Sequence, residues 1–180
     1  AFDGKVASIK KDRTDSEKSY GIQIDSLTDM VAFGVLPATI GAAILKKSAI
    51  IAAITDSRGK TTIVAFYAVL ILYILAAMIR LAYYNVSELE RQKVEKGPRK
   101  YYTGLPVTCS AVIFPFIMLV EYFTRSDLSI IYLICVLLTA LAFISPVKIP
   151  KLNKSMIPTI VCICAIGAIV WFAMIAVRKV

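Results

Sequence analysis

Uncharged apolar runs recur along the chain, separated by shorter polar segments. Thr61–Ile79, Leu128–Val147 and Ser155–Val177 hold no charged residue, and Thr103–Val120 holds none before Glu121 ends it. A fifth run, Met30–Leu45, continues a segment that starts near Tyr20 and carries Asp25 and Asp29 near its beginning. A membrane-spanning helix needs about 20 mostly apolar residues, and each of these segments reaches or approaches that length. Barrel strands would be ~10 residues long and alternate in polarity, which these runs do not. The pattern therefore predicts an all-α, polytopic membrane protein with about five transmembrane helices. Pro37, Pro106, Pro115 and Pro158 fall in or near the apolar runs, where membrane helices tolerate proline. The connections are predicted at Ile9–Ser19, Lys46–Lys60, Asn85–Tyr102, Glu121–Asp127 and Lys148–Lys154. Within Lys46–Lys60 the apolar stretch Ala49–Ile54 suggests a short interfacial helix.

Composition sharpens this picture. Hydrophobic residues make up 58% of the chain, and the mean hydropathy is +0.74. Both exceed what a soluble domain of this size carries. The formal charge of +9 invites a nucleic-acid partner, but the apolar content argues against one. Lysines and arginines of a membrane protein instead gather in cytoplasmic loops or face anionic lipid. Fourteen of the 21 fall in Ala1–Tyr20, Arg80–Tyr102 and Lys148–Lys154, which puts those segments, and Asp3, Asp25 and Asp29 with them, on the cytoplasmic side. The absence of histidine excludes Ser-His-Asp and Cys-His chemistry and His-ligated metals within these residues. Cys109, Cys135, Cys162 and Cys164 lie in apolar runs without zinc-type spacing and read as small hydrophobes.

The informative residues are near the start. Gly21, Asp25 and Asp29 recur every four positions, which sets them on one helix face a turn apart. Two carboxylates so placed repel each other at the edge of an apolar segment, where ionisable groups are costly and mark function by default. A cation between them removes the repulsion, and oxygen-only ligands favour Mg²⁺ or Mn²⁺. Asp3-Gly4, with Ala7 four residues after Asp3, would face the pair if Phe2–Ala7 ends a preceding helix. The alternative is structural: acids near a helix start suit the positive end of its dipole.

The pattern Asp3-Gly4-x-x-Ala7, then Gly21-x-x-x-Asp25-x-x-x-Asp29, resembles the signature of the CDP-alcohol phosphatidyltransferases, D-x-x-D-G-x-x-A-R followed by G-x-x-x-D-x-x-x-D. Asp25-Ser26-Leu27-x-Asp29, Phe33-Gly34-Val35-x-Pro37, Arg80-Leu81-Ala82-Tyr83-Tyr84-Asn85 and Gly104-Leu105-Pro106 are similar to segments of the bacterial phosphatidylserine synthases. So is Lys148–Pro150, and the resemblance runs along nearly the whole chain. Three features depart from the signature. Ser8 stands where the arginine belongs, and the spacer from Ser8 to Gly21 holds 12 residues in place of about eight. The chain also begins at Ala1, one position after the expected first aspartate. The resemblance thus predicts a single membrane domain over 1–180 that lacks its N-terminal helices and is inactive alone.

The resemblance implies further chemistry. Two divalent ions, Mg²⁺ or Mn²⁺, would be held by Asp3, Asp25 and Asp29, with Asp29 also the candidate base. Asp3, Gly4, Ala7 and Gly21 would line the nucleotide pocket. CDP-diacylglycerol would donate the phosphatidyl group and L-serine would accept it. Arg80 is the candidate partner of the serine carboxylate, or else a snorkelling arginine at a helix end. Asn85 is the candidate partner of the serine amino or hydroxyl group. A homodimer in the cytoplasmic membrane is implied, with membrane lipids as partners and no nucleic acid. Competing readings are another acceptor (glycerol 3-phosphate or inositol phosphate), an ether-lipid donor, and a non-enzymatic transporter or scaffold.

Overall fold

The computed structural model describes residues 14–94, 101–150 and 167. The architecture is all-α, closed at one end by a three-residue ladder. The helices are α1 (Asp15–Asp29), α2 (Leu36–Lys47), α3 (Ala49–Arg58), α4 (Thr61–Val94), α5 (Ser110–Thr124) and α6 (Ser129–Ile144). A π-helical turn, Met30–Val35, joins α1 to α2, and a 3₁₀ turn, Val107–Cys109, leads into α5. Strands β1 (Tyr101–Thr103) and β2 (Lys148–Pro150) pair antiparallel, Tyr102 opposite Ile149.

Thr14 starts α1 through a capping box: its hydroxyl accepts the Glu17 N–H while the Glu17 carboxylate accepts the Thr14 N–H. Among the described residues, three helices are long and apolar enough to cross a membrane: Ser16–Lys47, Thr61–Arg91 and Val107–Thr124. The fourth expected span forms α6, whose 16 residues rise ~24 Å against a hydrocarbon core of ~30 Å. The fifth, Ser155–Val177, lies outside the described residues, as does the helix end expected at Phe2–Ala7. Two boundaries differ from expectation. Residues 15–19, read as the end of a connection, already belong to α1, capped by Thr14. Residues 85–94, read as the first half of a polar loop, continue α4 as helix. Glu88 and Arg91 pair across one turn there, so polar residues extend the helix beyond the apolar segment. The interfacial segment at Ala49 does form a helix, α3.

The core lies between α4 and α6, with α2 and α5 against it. Tyr73, Phe114, Tyr132 and Phe143 are fully enclosed. Tyr73 meets Phe114 edge-on with centroids 5.5 Å apart, and Phe114 meets Tyr132 at 5.2 Å, distances typical of attractive ring pairs. Ile71, Leu72, Leu75, Met78 and Ile79 point outward from α4. Such an unbroken apolar exterior suits lipid and not water.

At the end of the bundle away from Asp25, one carboxylate ties two helix starts together. Asp127 accepts the Ser129 N–H at 3.0 Å and the Ser48 hydroxyl, and Ser48 in turn accepts the Ile51 N–H at 3.1 Å. The Ser129 side chain foremost, then the Ser48 hydroxyl and the Ser129 N–H, hold the Asp127 carboxyl at about 2, below its ordinary 3.8. A depressed folded pKa stabilises above the unfolded value and is lost as pH falls through the folded one. Asp127→Ala should therefore lower stability by about 1–2 kcal/mol at pH 7. The wild type should lose the same increment between about pH 4 and pH 2, and the variant should not, read as melting temperature in detergent.

Candidate functional site

The site is built on two antiparallel helices that keep step. Asn85 Nδ2 donates to Ser26 Oγ at 2.6 Å. A Cβ built on Gly34 would lie 3.3 Å from the Ala77 Cβ, and one built on Gly41 would lie 2.8 Å from Leu70 Cδ2. Eight residues separate Ser26 from Gly34 and Asn85 from Ala77, and seven separate Gly34 from Gly41 and Ala77 from Leu70. Counting three residues along each helix from the Ser26–Asn85 contact puts Asp29 level with Ala82, within ~3 Å of the level of Arg80 along the bundle. Small residues at these contacts let the two backbones approach closely.

Asp25 is exposed and Asp29 is half-buried, a turn apart on α1. Gly21 lies a further turn up. Among the described residues, a Cβ built there meets no atom within 4 Å. Between the two acids, Ser26 accepts from Asn85 and donates to the Ile22 carbonyl at 2.9 Å. Asn85 is thereby held beside the acidic turn.

Arg80 is 5% exposed. Its side chain turns into the bundle: Nε donates to the Leu105 carbonyl at 3.0 Å and Nη2 to the Gly104 carbonyl at 3.3 Å. The guanidinium also sits 6.0 Å from the Tyr84 ring centroid, the outer limit of a cation–π contact. A snorkelling arginine would reach outward to water, so that reading does not describe Arg80. The segment it grips is itself specified by glycine. Gly104 has φ +81, and its N–H donates to the Val147 carbonyl at 2.7 Å while the Leu105 N–H donates to Ala142 O at 3.1 Å. The Arg80 and Gly104 segments thus meet the end of α6, beside the β1–β2 ladder.

Of the residues singled out in the sequence, Asn85 meets Ser26, which lies between Asp25 and Asp29 on α1; Gly21 lies a turn before Asp25, and Arg80 lies deeper on α4. Asp3, Gly4 and Ala7 lie outside the described residues. Among the described residues no group of three or more potential ligands forms a metal centre. Asp25 and Asp29 supply two hard oxygen donors one turn apart, which fits part of a Mg²⁺ or Mn²⁺ ligand set. Two features escaped the sequence reading. One is the π turn that begins directly after Asp29. The other is Tyr73, whose hydroxyl donates to the Phe33 carbonyl within that turn at 2.6 Å. Pro37 was the available signal, because a proline leaves the carbonyl four residues earlier without its helical donor.

No family model matches the chain. Two curated proteins are similar to it, the CDP-diacylglycerol–serine O-phosphatidyltransferases of two Helicobacter pylori strains. They are 24% and 25% identical over 156 residues, 85% of this chain. The aligned part covers 56% of each relative's length, so the chain spans little more than half of the proteins it matches.

Proposed function

We propose that this chain carries the catalytic end of a CDP-alcohol phosphatidyltransferase that moves a phosphatidyl group from CDP-diacylglycerol to L-serine, releasing CMP. The observation that carries this reading is convergence. Three segments far apart in sequence, around Asp25–Asp29, Arg80–Asn85 and Gly104–Pro106, gather at one end of the bundle. The names of the two relatives support the same activity. The excess of basic residues in the sequence segments that flank Asp25 and Arg80 supports a cytoplasmic site.

In this reaction the serine hydroxyl oxygen attacks the phosphorus that bears the diacylglycerol. A new P–O bond forms, the bond to the bridging oxygen breaks, and CMP leaves with that oxygen. Asp29 takes the hydroxyl proton, being half-buried and close to the level of Arg80. Asp3, Asp25 and Asp29 would hold divalent ions, which when bound supply neutralisation of the pyrophosphate charge. Gly21 leaves its face clear for the nucleotide. Arg80 and Asn85 form the acceptor side: the guanidinium, oriented by two carbonyls, attracts the serine carboxylate, and Asn85 orients the amino or hydroxyl group. Residues 1–180 belong to a single membrane domain, which acts as a homodimer in the membrane.

The test is CMP release by membranes bearing the full-length protein, supplied with CDP-diacylglycerol and Mn²⁺. Serine, glycerol 3-phosphate and inositol phosphate are offered in parallel. Release with serine alone is expected. Release with another acceptor would keep the class of reaction and overturn the serine assignment. Silence with all three would return the chain to the non-enzymatic reading.

A further inference from the structure

We infer that Tyr73 is a positioning residue: by holding the Phe33 carbonyl it keeps the π turn open, and the π turn aims Asp25 and Asp29 toward α4. The inference rests on the reaction proposed above for what the acids do, but the geometry stands apart from it. In a regular α-helix each residue turns ~100°, so the 12 residues from Asp29 to Gly41 would leave Asp29 ~120° away from the line of Gly41. Asp25, 16 residues from Gly41, would be ~160° away, on the back of the helix. A π turn inserts one residue without advancing the helix. Removing ~100° brings Asp29 to within ~20° of the Gly41 line and Asp25 to within ~60°. Gly41 packs on Leu70 of α4. Ser26, which would sit ~60° to one side, moves ~40° to the other, where it meets Asn85.

The turn has identifiable supports. The Leu36 N–H bonds back to Val31 O, five residues earlier. Pro37 follows, offers no N–H to Phe33, and its ring crowds the Phe33 carbonyl. In an apolar interior a carbonyl without a donor is costly. Tyr73, fully buried, supplies that donor at 2.6 Å. Ser110 Oγ assists at 3.3 Å, sharing its one proton with the Val107 carbonyl at 2.7 Å. Proline and tyrosine thus act together: one removes the helical donor, and the other replaces it from a neighbouring helix.

The test separates position from stability. Tyr73→Phe should lower the melting temperature, because Phe33 loses its principal donor while Pro37 still offers none. Adding Pro37→Ala to Tyr73→Phe returns an N–H to position 37, lets the turn close to regular helix, and should recover the melting temperature. The acids should then point elsewhere. In the full-length protein with its native cysteines replaced, Ser26→Cys and Asn85→Cys should form a disulfide readily. In the added Tyr73→Phe, Pro37→Ala background the yield should fall at least fivefold. The Mn²⁺ concentration giving half-maximal CMP release should rise at least tenfold in the same background. Recovery of crosslinking together with melting temperature would overturn the inference. The crosslink is scored without substrate, so it decides the rotation even where no variant releases CMP, a result that would sink only the proposed reaction.

Discussion

Asp29→Asn should abolish CMP release while the protein still folds and inserts in the membrane. The isosteric change separates the chemistry from the helix. Asp25 and Asp29 stand one turn apart on α1, where like charges repel by about 0.2–0.5 kcal/mol. The amide keeps the size of the carboxylate and removes that repulsion, while its remaining carbonyl oxygen can still accept a hydrogen bond. The proposed chemistry loses two things at once: a negative ligand for a divalent ion and the acceptor of the serine proton. Each is worth orders of magnitude, so a fall of at least about 10³-fold, or ~4 kcal/mol in the barrier, is expected. The measurement pairs CMP release with a melting curve on the same membranes. Wild-type turnover would remove Asp29 from the mechanism. Loss of activity accompanied by loss of folding would mean that its carboxylate supports the helix.

Gly104→Ala should be the most damaging single change to the acceptor side. Two costs add. At φ +81 an L side chain is strained by roughly 1–2 kcal/mol. The new Cβ would also stand 2.8 Å from the Ser145 carbonyl oxygen and 3.0 Å from that of Phe143. Both are backbone atoms at the end of α6, so relief requires the chain itself to move. Arg80 grips the Gly104 carbonyl, and any shift of the turn loosens the guanidinium. A destabilisation of about 2–4 kcal/mol is expected, with CMP release down at least tenfold at temperatures where the variant remains folded. Gly59→Ala is the natural comparison. Gly59 also has positive φ, +89, but open space above it, so it should show the backbone strain without the collision. Equal melting temperatures for the two variants would show that the Gly104 contacts with α6 relax at no cost.

These two predictions differ in where they could have been read. Asp29 was legible because charge inside an apolar run is conspicuous and because four-residue spacing translates directly into one helix face. The same local logic foresaw the helical class, the apolar helices among the described residues and a helix at Ala49. It failed where neighbours decide. The polar stretch after Asn85 lacks an apolar period, yet it continues α4, since a helix already nucleated propagates readily and Glu88 and Arg91 support it. Arg80 looked equally suited to substrate and to water, and its partners, the Gly104 and Leu105 carbonyls, are over twenty residues away.

The sequence by itself determined that this chain is helical and belongs in a membrane, because uncharged runs of spanning length leave backbone polar groups no other way to be satisfied in lipid. It also determined that Gly21, Asp25 and Asp29 share a face, because that depends only on the helical repeat. Which way the face points was decided by tertiary structure. A π turn held by Tyr73 sets the rotation of α1 against α2, and the donor comes from a helix forty residues further along the chain. Local spacing specifies angles within one helix, whereas the angle between that helix and its neighbours depends on contacts that the spacing does not contain.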